Sequence, residues 1–449
     1  MSQIHSPRTN LNLLYREDHG HSAPINLSIG HPELSHLVNI RKMLDKSSHQ
    51  RLKTDKDPDA YGGYGEETGG NSGFTFATEE RLLQYADHDT MSQGQPAFRK
   101  ALADFLKQVY RTDKELEPRN LFITNGSSQA LELTCSVLTE PGDPIFVQNP
   151  TYFCALSVFE DHKLKPVVVR SDAEGLDTDD LERQLKTGSE NPPKVRLVYS
   201  VTSFNNPSGV TLSEARRKKL IDLAHRYNLV IFSDEVYHLL NYSDNNLPLP
   251  MACYPGAEGR VIGAGSFSKI LAPGLRMGWM HCAGRDPSPS SADTDPDAPA
   301  LIKQFANRGF IISGGGLQPF TSGVVRALLG SKELFSQLED FRSTYRKKLK
   351  ILSEALLKNL PEGCSFDLPH GGFFLWVALP ASISTLNLFD TAMKDFGVGF
   401  LPGVHCGPTG KEWDNYCRIC FCHYSEAELV EGAVRLGAAV RNALTPKRS

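Results

Sequence analysis

The chain has 449 residues, a formal net charge of −4, 40% hydrophobic and 22% charged residues, an ordinary globular balance with length for two or three units of roughly 100–200 residues each. This excludes the basic footprint of a dedicated nucleic-acid binder and a polybasic membrane patch. No apolar run reaches the roughly 18 residues of a membrane span. The first 22 residues carry Glu17 and Asp18 and no apolar stretch, so neither a secretory nor a mitochondrial leader is expected. Nine cysteines then read as reduced thiols, and the cytoplasm is the expected compartment.

In chain order, the first 50 residues are polar apart from INLSIGHPEL (25–34), and 51–80 are rich in Gly, Asp, Glu and Thr and read as a loop or lid. Apolar spacing predicts a helix over 96–110, with Pro96 suited to its first turn. Residues 128–138 read as a helix behind the turn Asn125-Gly126-Ser127. PIFVQ (144–148) and PVVVR (166–170) read as strands, 178–185 as a helix and KVRLVYS (194–200) as a strand. A helix follows over 213–227, with Ser213 as cap, then strands over 229–233 and 260–264. This alternation predicts a mostly parallel α/β sheet, and the short continuous apolar runs predict strands covered on both faces. Residues 285–299 read as a solvated low-complexity loop. Beyond it, 331–357 read as one long helix, and GGFFLWVAL and YCRICFC as strands of a smaller α+β unit. The boundaries expected are 51–310 for the large unit, and 1–50 with 311–449 for the small one.

The strongest chemical signal is Ser266-Phe267-Ser268-Lys269, followed by Pro273-Gly274-Leu275-Arg276-Met277-Gly278. A lysine after a strand can form a Schiff base once burial or a nearby cation lowers its pKa. Two hydroxyls and an arginine beside it are what a phosphate takes. Alone, this is as readily a solvated lysine in a loop. Asn125-Gly126-Ser127-Ser128 opens a helix, where free N–H groups bind phosphate or where Ser merely caps. Asn206, in Phe204-Asn205-Asn206-Pro207, either holds a phenolic oxygen or simply turns the chain. Asp234 and Tyr237 stand at a strand end, where Asp234 could pair with a protonated ring nitrogen or stay solvated. Arg418 could clamp a carboxylate.

In this order and at these spacings the segments resemble fold-type I pyridoxal-5′-phosphate (PLP) enzymes of the class I/II aminotransferase superfamily, from about residue 25 to 436. The nearest branch is the aminoadipate/kynurenine/aromatic aminotransferases, which share the Ser-Phe-Ser-Lys and Leu-Gln-Tyr features. The resemblance implies a large domain with a mostly parallel, seven-stranded-type sheet flanked by helices, plus a smaller α+β domain, with the cofactor between them. Lys269 resembles the Schiff-base lysine and Asp234 the partner of the ring nitrogen. Asn206 and Tyr237 match the two donors to the cofactor O3′. Ser127, Ser128, Ser266, Ser268 and Arg276 match the phosphate cup, and Tyr152 the stacking ring. Tyr85 resembles a tyrosine that reaches the neighbouring subunit's phosphate, which implies a homodimer with shared sites. Gly30 and Arg418 fit the substrate α-carboxylate site.

The implied activity moves the amino group of a 2-amino acid, with aromatic or long side chains favoured, to a 2-oxo acid by a ping-pong route. A PLP enzyme of β/γ-elimination, replacement or cyclisation is the alternative. The departures are the 51–80 insert and Asp87, His88 and Asp89, which bear on substrate identity. A transcription regulator with an aminotransferase-like sensor domain is disfavoured, because the matching motifs leave no room ahead of them for a DNA-binding module and the net charge is acidic. Strand alternation puts Cys420 and Cys422 on the face opposite Cys417, so no metal site is expected there. His405 could line the substrate pocket.

Overall fold

A computed structural model describes residues 24–54, 91–187, 196–243, 247–284, 300–410 and 412–445. Tyr85, Asp87, His88, Asp89, the greater part of the 51–80 insert and the 285–299 loop lie outside the described residues.

The central sheet has seven strands: β1 (Leu121–Thr124), β2 (Pro144–Gln148), β3 (Lys165–Val169), β4 (Arg196–Ser200), β5 (Leu229–Asp234), β6 (Val261–Ser266) and β7 (Gly278–His281). Their order across the sheet is β1-β7-β6-β5-β4-β2-β3. Only β7 runs antiparallel to its neighbours, and the other pairs are parallel. All six residues of β5 and of β6 are buried, as continuous apolar runs require of a doubly covered sheet. Gly263-Ala264-Gly265 is the middle of β6, where close strand packing requires glycine: a Cβ on Gly265 would clash with the indole of Trp279 on β7.

Helices α1 (Leu34–Thr54), α2 (Pro96–Tyr110), α3 (Ser127–Leu138), α4 (Phe153–Asp161), α5 (Thr178–Lys186) and α6 (Glu214–Arg226) precede or interleave with these strands. Asp177 caps α5 by accepting from the amides of Asp179 and Asp180, and Ser213 caps α6 by accepting from that of Arg216. The polar reading of the first 50 residues missed α1. Its core-facing stripe is thin: Ile40 is buried while Leu34 and Val38 are exposed, so periodicity gives little signal.

The smaller unit carries α7 (Lys332–Asn359), α8 (Thr385–Phe396) and α9 (Glu426–Leu444), with α7 and α9 packed together. They accompany an antiparallel sheet of β8 (Ser365–Phe366), β9 (Phe374–Ala378), β10 (Leu401–Pro402) and β11 (Tyr416–Cys420), in the order β8-β9-β11-β10. The N-terminal segment joins it. Ile25–Asn26 pairs in parallel with Val398–Gly399, and Cys420 N donates to Leu27 O at 2.7 Å. Among the described residues no helix is long and apolar enough to cross a membrane.

Candidate active site

A cavity of about 300 Å³ opens at the carboxyl ends of β4, β5 and β6, closed from the other side by residues 28–31, Phe374 and Arg418. Open α/β sheets hold ligands at this end because the loops and helix N-termini converge there. Of the candidate residues, Gly30, Ser127, Ser128, Tyr152, Asn206, Asp234, Tyr237, Ser266, Ser268, Lys269, Arg276 and Arg418 all line it. Tyr85 lies outside the described residues. His405 is not among the lining residues.

Asp234 ends β5. Its Oδ2 accepts from the phenol of Tyr199 at 3.0 Å, and its Oδ1 is buried with no hydrogen-bond partner. Burial raises its pKa to about 6, against the opposing pull of Tyr199, the Val236 amide and the charge of Lys269. Lys269 sits in the turn after β6, where its Nζ donates to Gly30 O at 2.9 Å and lies 5.4 Å from the centre of the Phe373 ring. Burial lowers its pKa, opposed mainly by Cys422 and Cys420, so the neutral amine is brought closer to neutral pH. Tyr237 stands 5.9 Å below the same nitrogen, and burial keeps its phenol protonated and therefore a donor.

Arg418, on β11, reaches into the cavity from the smaller unit. Nη1 donates to Asn206 Oδ1 at 2.9 Å and Nη2 to Ser28 O at 2.7 Å, while Nε is buried without a partner. The guanidinium lies 4.0 Å over Phe374 and 5.5 Å from Phe153. Because a guanidinium only donates, the Asn206 oxygen must face it, which turns the amide N–H groups the other way.

At the opposite wall the N-terminus of α3 presents Ser127 and Ser128. Gly126 precedes them at φ 86°, and a Cβ there would stand 2.9 Å from Arg276 Nη2. Arg276 donates to Asn125 O at 3.2 Å. Ser266 and Ser268 hydroxyls are 3.0 Å apart, and the Ser268 amide donates to Ser266 Oγ. Gln318 donates to Asn125 Oδ1 at 2.7 Å and to Arg276 O at 3.1 Å, tying the two halves of this wall together. The nearby Gly315 is the left-handed end of a short helix, Gly309–Gly314.

Sequence reasoning missed Tyr199, Gln318, Cys154 and Phe374. Tyr199 lies inside a buried strand, and nothing in its spacing marks it as a partner of Asp234. Gln318 is a lone polar residue just after a glycine run, and nothing in its spacing marks it as a tie between Asn125 and Arg276. Cys420 Sγ and Cys422 Sγ lie 3.2 Å apart on one face, as alternation places them.

The family described as aminotransferase class I and II matches residues 83–436. The aromatic-amino-acid aminotransferase 1 of Thermococcus litoralis is 30% identical over 365 residues, 81% of this chain and 82% of its own. The 2-aminoadipate transaminase of Thermus thermophilus is 32% identical over 335 residues, 73% of this chain and 77% of its own. The crystal structure of the Pyrococcus horikoshii kynurenine aminotransferase in complex with PMP aligns with a TM-score of 0.79 at 28% identity, over 98% of this chain and 95% of that one.

Proposed function

The chain belongs to the class I and II aminotransferases, fold-type I enzymes that use pyridoxal 5′-phosphate, and we propose that its cavity takes 2-amino acids with an aromatic or long side chain. The observation that carries this is Arg418. Its Nε is buried and unpartnered, its guanidinium lies on Phe374, and Ile29 and Phe153 supply further apolar wall. A carboxylate completes the first need, and an apolar side chain the second.

The residues present fit the cofactor. Ser127, Ser128, Ser266, Ser268 and Arg276 make a donor set for its phosphate at a helix N-terminus. The orphaned Oδ1 of Asp234 suits a ring N–H, which would also hold the Asp234 carboxylate ionised. Asn206 and Tyr237 would donate to the phenolic oxygen, and Tyr152 would cover the ring face. When bound, the cofactor supplies an aldehyde that takes up the amino group and a ring that withdraws electrons from the breaking Cα–H bond. Lys269, its ammonium disfavoured by burial, would hold the aldehyde carbon and then carry the proton between the substrate Cα and C4′. Arg418 and Gly30 would seat the α-carboxylate of the amino acid and afterwards that of the 2-oxo acid acceptor, one after the other in the same place.

The proposal extends to a cytoplasmic homodimer of two-domain subunits, divided at 51–310 against 1–50 with 311–449, in which Tyr85 reaches the neighbouring subunit's phosphate. Exposed Leu34, Val38 and Phe320, on α1 and the helix Pro319–Arg326 packed beside it, offer apolar surface for pairing.

The test is the absorbance of the purified holoenzyme with single amino acids and no acceptor. Stoichiometric conversion of the visible band by aromatic and long-chain amino acids, with no ammonia released, is the expected result, and Lys269→Ala should abolish it. Continuous release of ammonia and a 2-oxo acid without an acceptor would return the eliminating alternative.

A further inference from the structure

Arg217, in α6, is 0% exposed. A buried cation is costly, and here burial pulls its pKa down against the charge of Glu235. Its guanidinium donates four times. Nε reaches Leu212 O at 2.9 Å, Nη2 reaches Thr202 O at 2.6 Å and Ser203 Oγ at 3.1 Å, and Nη1 reaches Leu249 O at 3.1 Å. Thr202 and Leu212 are the two ends of the loop that carries Asn206, and Leu212 N closes the same neck onto Thr202 O at 3.0 Å. The loop is not held by its own preference, since Phe204 lies in the left-handed region at φ 52°.

The other contact leads to Asp234. Leu249 precedes Pro250-Met251, and Met251 N donates to Glu235 Oε1 at 2.7 Å. Glu235 also accepts from Ser233 Oγ at 2.8 Å, and Ser233 Oγ meets Thr202 Oγ1 at 2.7 Å. Asp234 lies between these two anchored neighbours.

We propose that Arg217 is a positioning residue for the cofactor: it fixes the stem of the Asn206 loop and, through Met251 and Glu235, the end of β5 that carries Asp234. The two groups assigned above to the cofactor's ring nitrogen and phenolic oxygen are thereby kept in one register. The inference rests on that assignment. The three guanidinium nitrogens diverge to grip three segments at once, a spread that the single nitrogen of a lysine lacks. A lysine in its place keeps the charge and loses most of the grip.

The test uses the full-length holoenzyme as Arg217→Lys and Arg217→Met, with Asn206→Ala as reference. The readouts are the pH midpoint of the bound cofactor's visible band and its dissociation constant, with Tm alongside. A donor to the phenolic oxygen favours its anion, so removing that donor raises the midpoint. Asn206→Ala is expected to raise it by about one pH unit. Arg217→Lys should move it in the same direction by part of that amount, with the cofactor held several-fold more weakly, and Arg217→Met should move it further. Combined with Asn206→Ala, Arg217→Lys should add less than the shift it causes alone, the remainder being the part that runs through Asp234. If Arg217→Met does not fold, Arg217→Lys alone decides. A wild-type midpoint in the Arg217 variants, with only Tm lowered, overturns the positioning role and leaves the assignment of Asn206 standing. An unchanged midpoint in Asn206→Ala overturns both.

Discussion

Tyr199 donates its phenol to Oδ2 of Asp234 at 3.0 Å, and the other oxygen of that carboxyl is left buried and unpartnered. One oxygen is thus held by a residue of β4 while its twin, on a residue that lines the cavity, is left able to accept a donor. Tyr199 itself cannot rotate away, because its ring stacks on Phe232 at 5.9 Å and meets Phe159 edge-on at 5.5 Å.

Tyr199→Phe keeps that packing and deletes one hydrogen bond to a charged group, a loss of roughly 1.5–3 kcal/mol. Cofactor affinity is expected to fall about tenfold or more, with Tm little changed. Absorbance titration of the variant with the cofactor reads this directly, and undiminished affinity would show that Asp234 needs no such support.

The raised pKa of Asp234 makes its charge a burden on the protein stripped of cofactor. The folded carboxyl titrates at about 6 and the unfolded one at 3.8. Above pH 6 both states are ionised, and the folded state is penalised by roughly 3 kcal/mol. As pH falls from 6 towards 4 the folded state takes the proton first and the penalty fades. Asp234→Asn should therefore raise the Tm of cofactor-free protein at pH 8 and lose that advantage near pH 4, while the same variant binds cofactor more weakly. Thermal melts at the two pH values check the sign.

Arg418→Lys preserves charge but not the fork that reaches Asn206 and Ser28 together. KM for the amino acid and for the 2-oxo acid should both rise about 10–100-fold, the range expected for losing a bidentate, charge-assisted contact. The fall in kcat should be the smaller effect. Steady-state kinetics with each substrate varied would separate the two, and a loss confined to kcat would contradict a carboxylate role.

Gly126→Ala places a methyl group 2.9 Å from Arg276 Nη2 at a φ of 86°. With ψ at 172° this backbone region is essentially reserved for glycine, so the strain alone costs about 1–3 kcal/mol, and the guanidinium must move. Weaker cofactor binding, about tenfold, is expected, and fluorescence quenching on cofactor addition measures it.

By itself, the sequence determined the α/β alternation, most strand and helix positions and the residues that gather at the cavity. Those signals are local: buried strands read as apolar runs, caps as Ser or Asp before a helix, and the site as short motifs at strand ends. The tertiary structure alone decided the rest. It placed Tyr199 under Asp234 across two neighbouring strands, Gln318 between Asn125 and Arg276, and Arg217 at the neck of the Asn206 loop. Each is a contact between segments that only the folded sheet brings together, and a lone buried polar residue leaves no periodic mark in the chain. The missed helix α1 has the same origin, since with so thin an apolar stripe its helical state rests on packing against the helix Pro319–Arg326 and not on its own pattern.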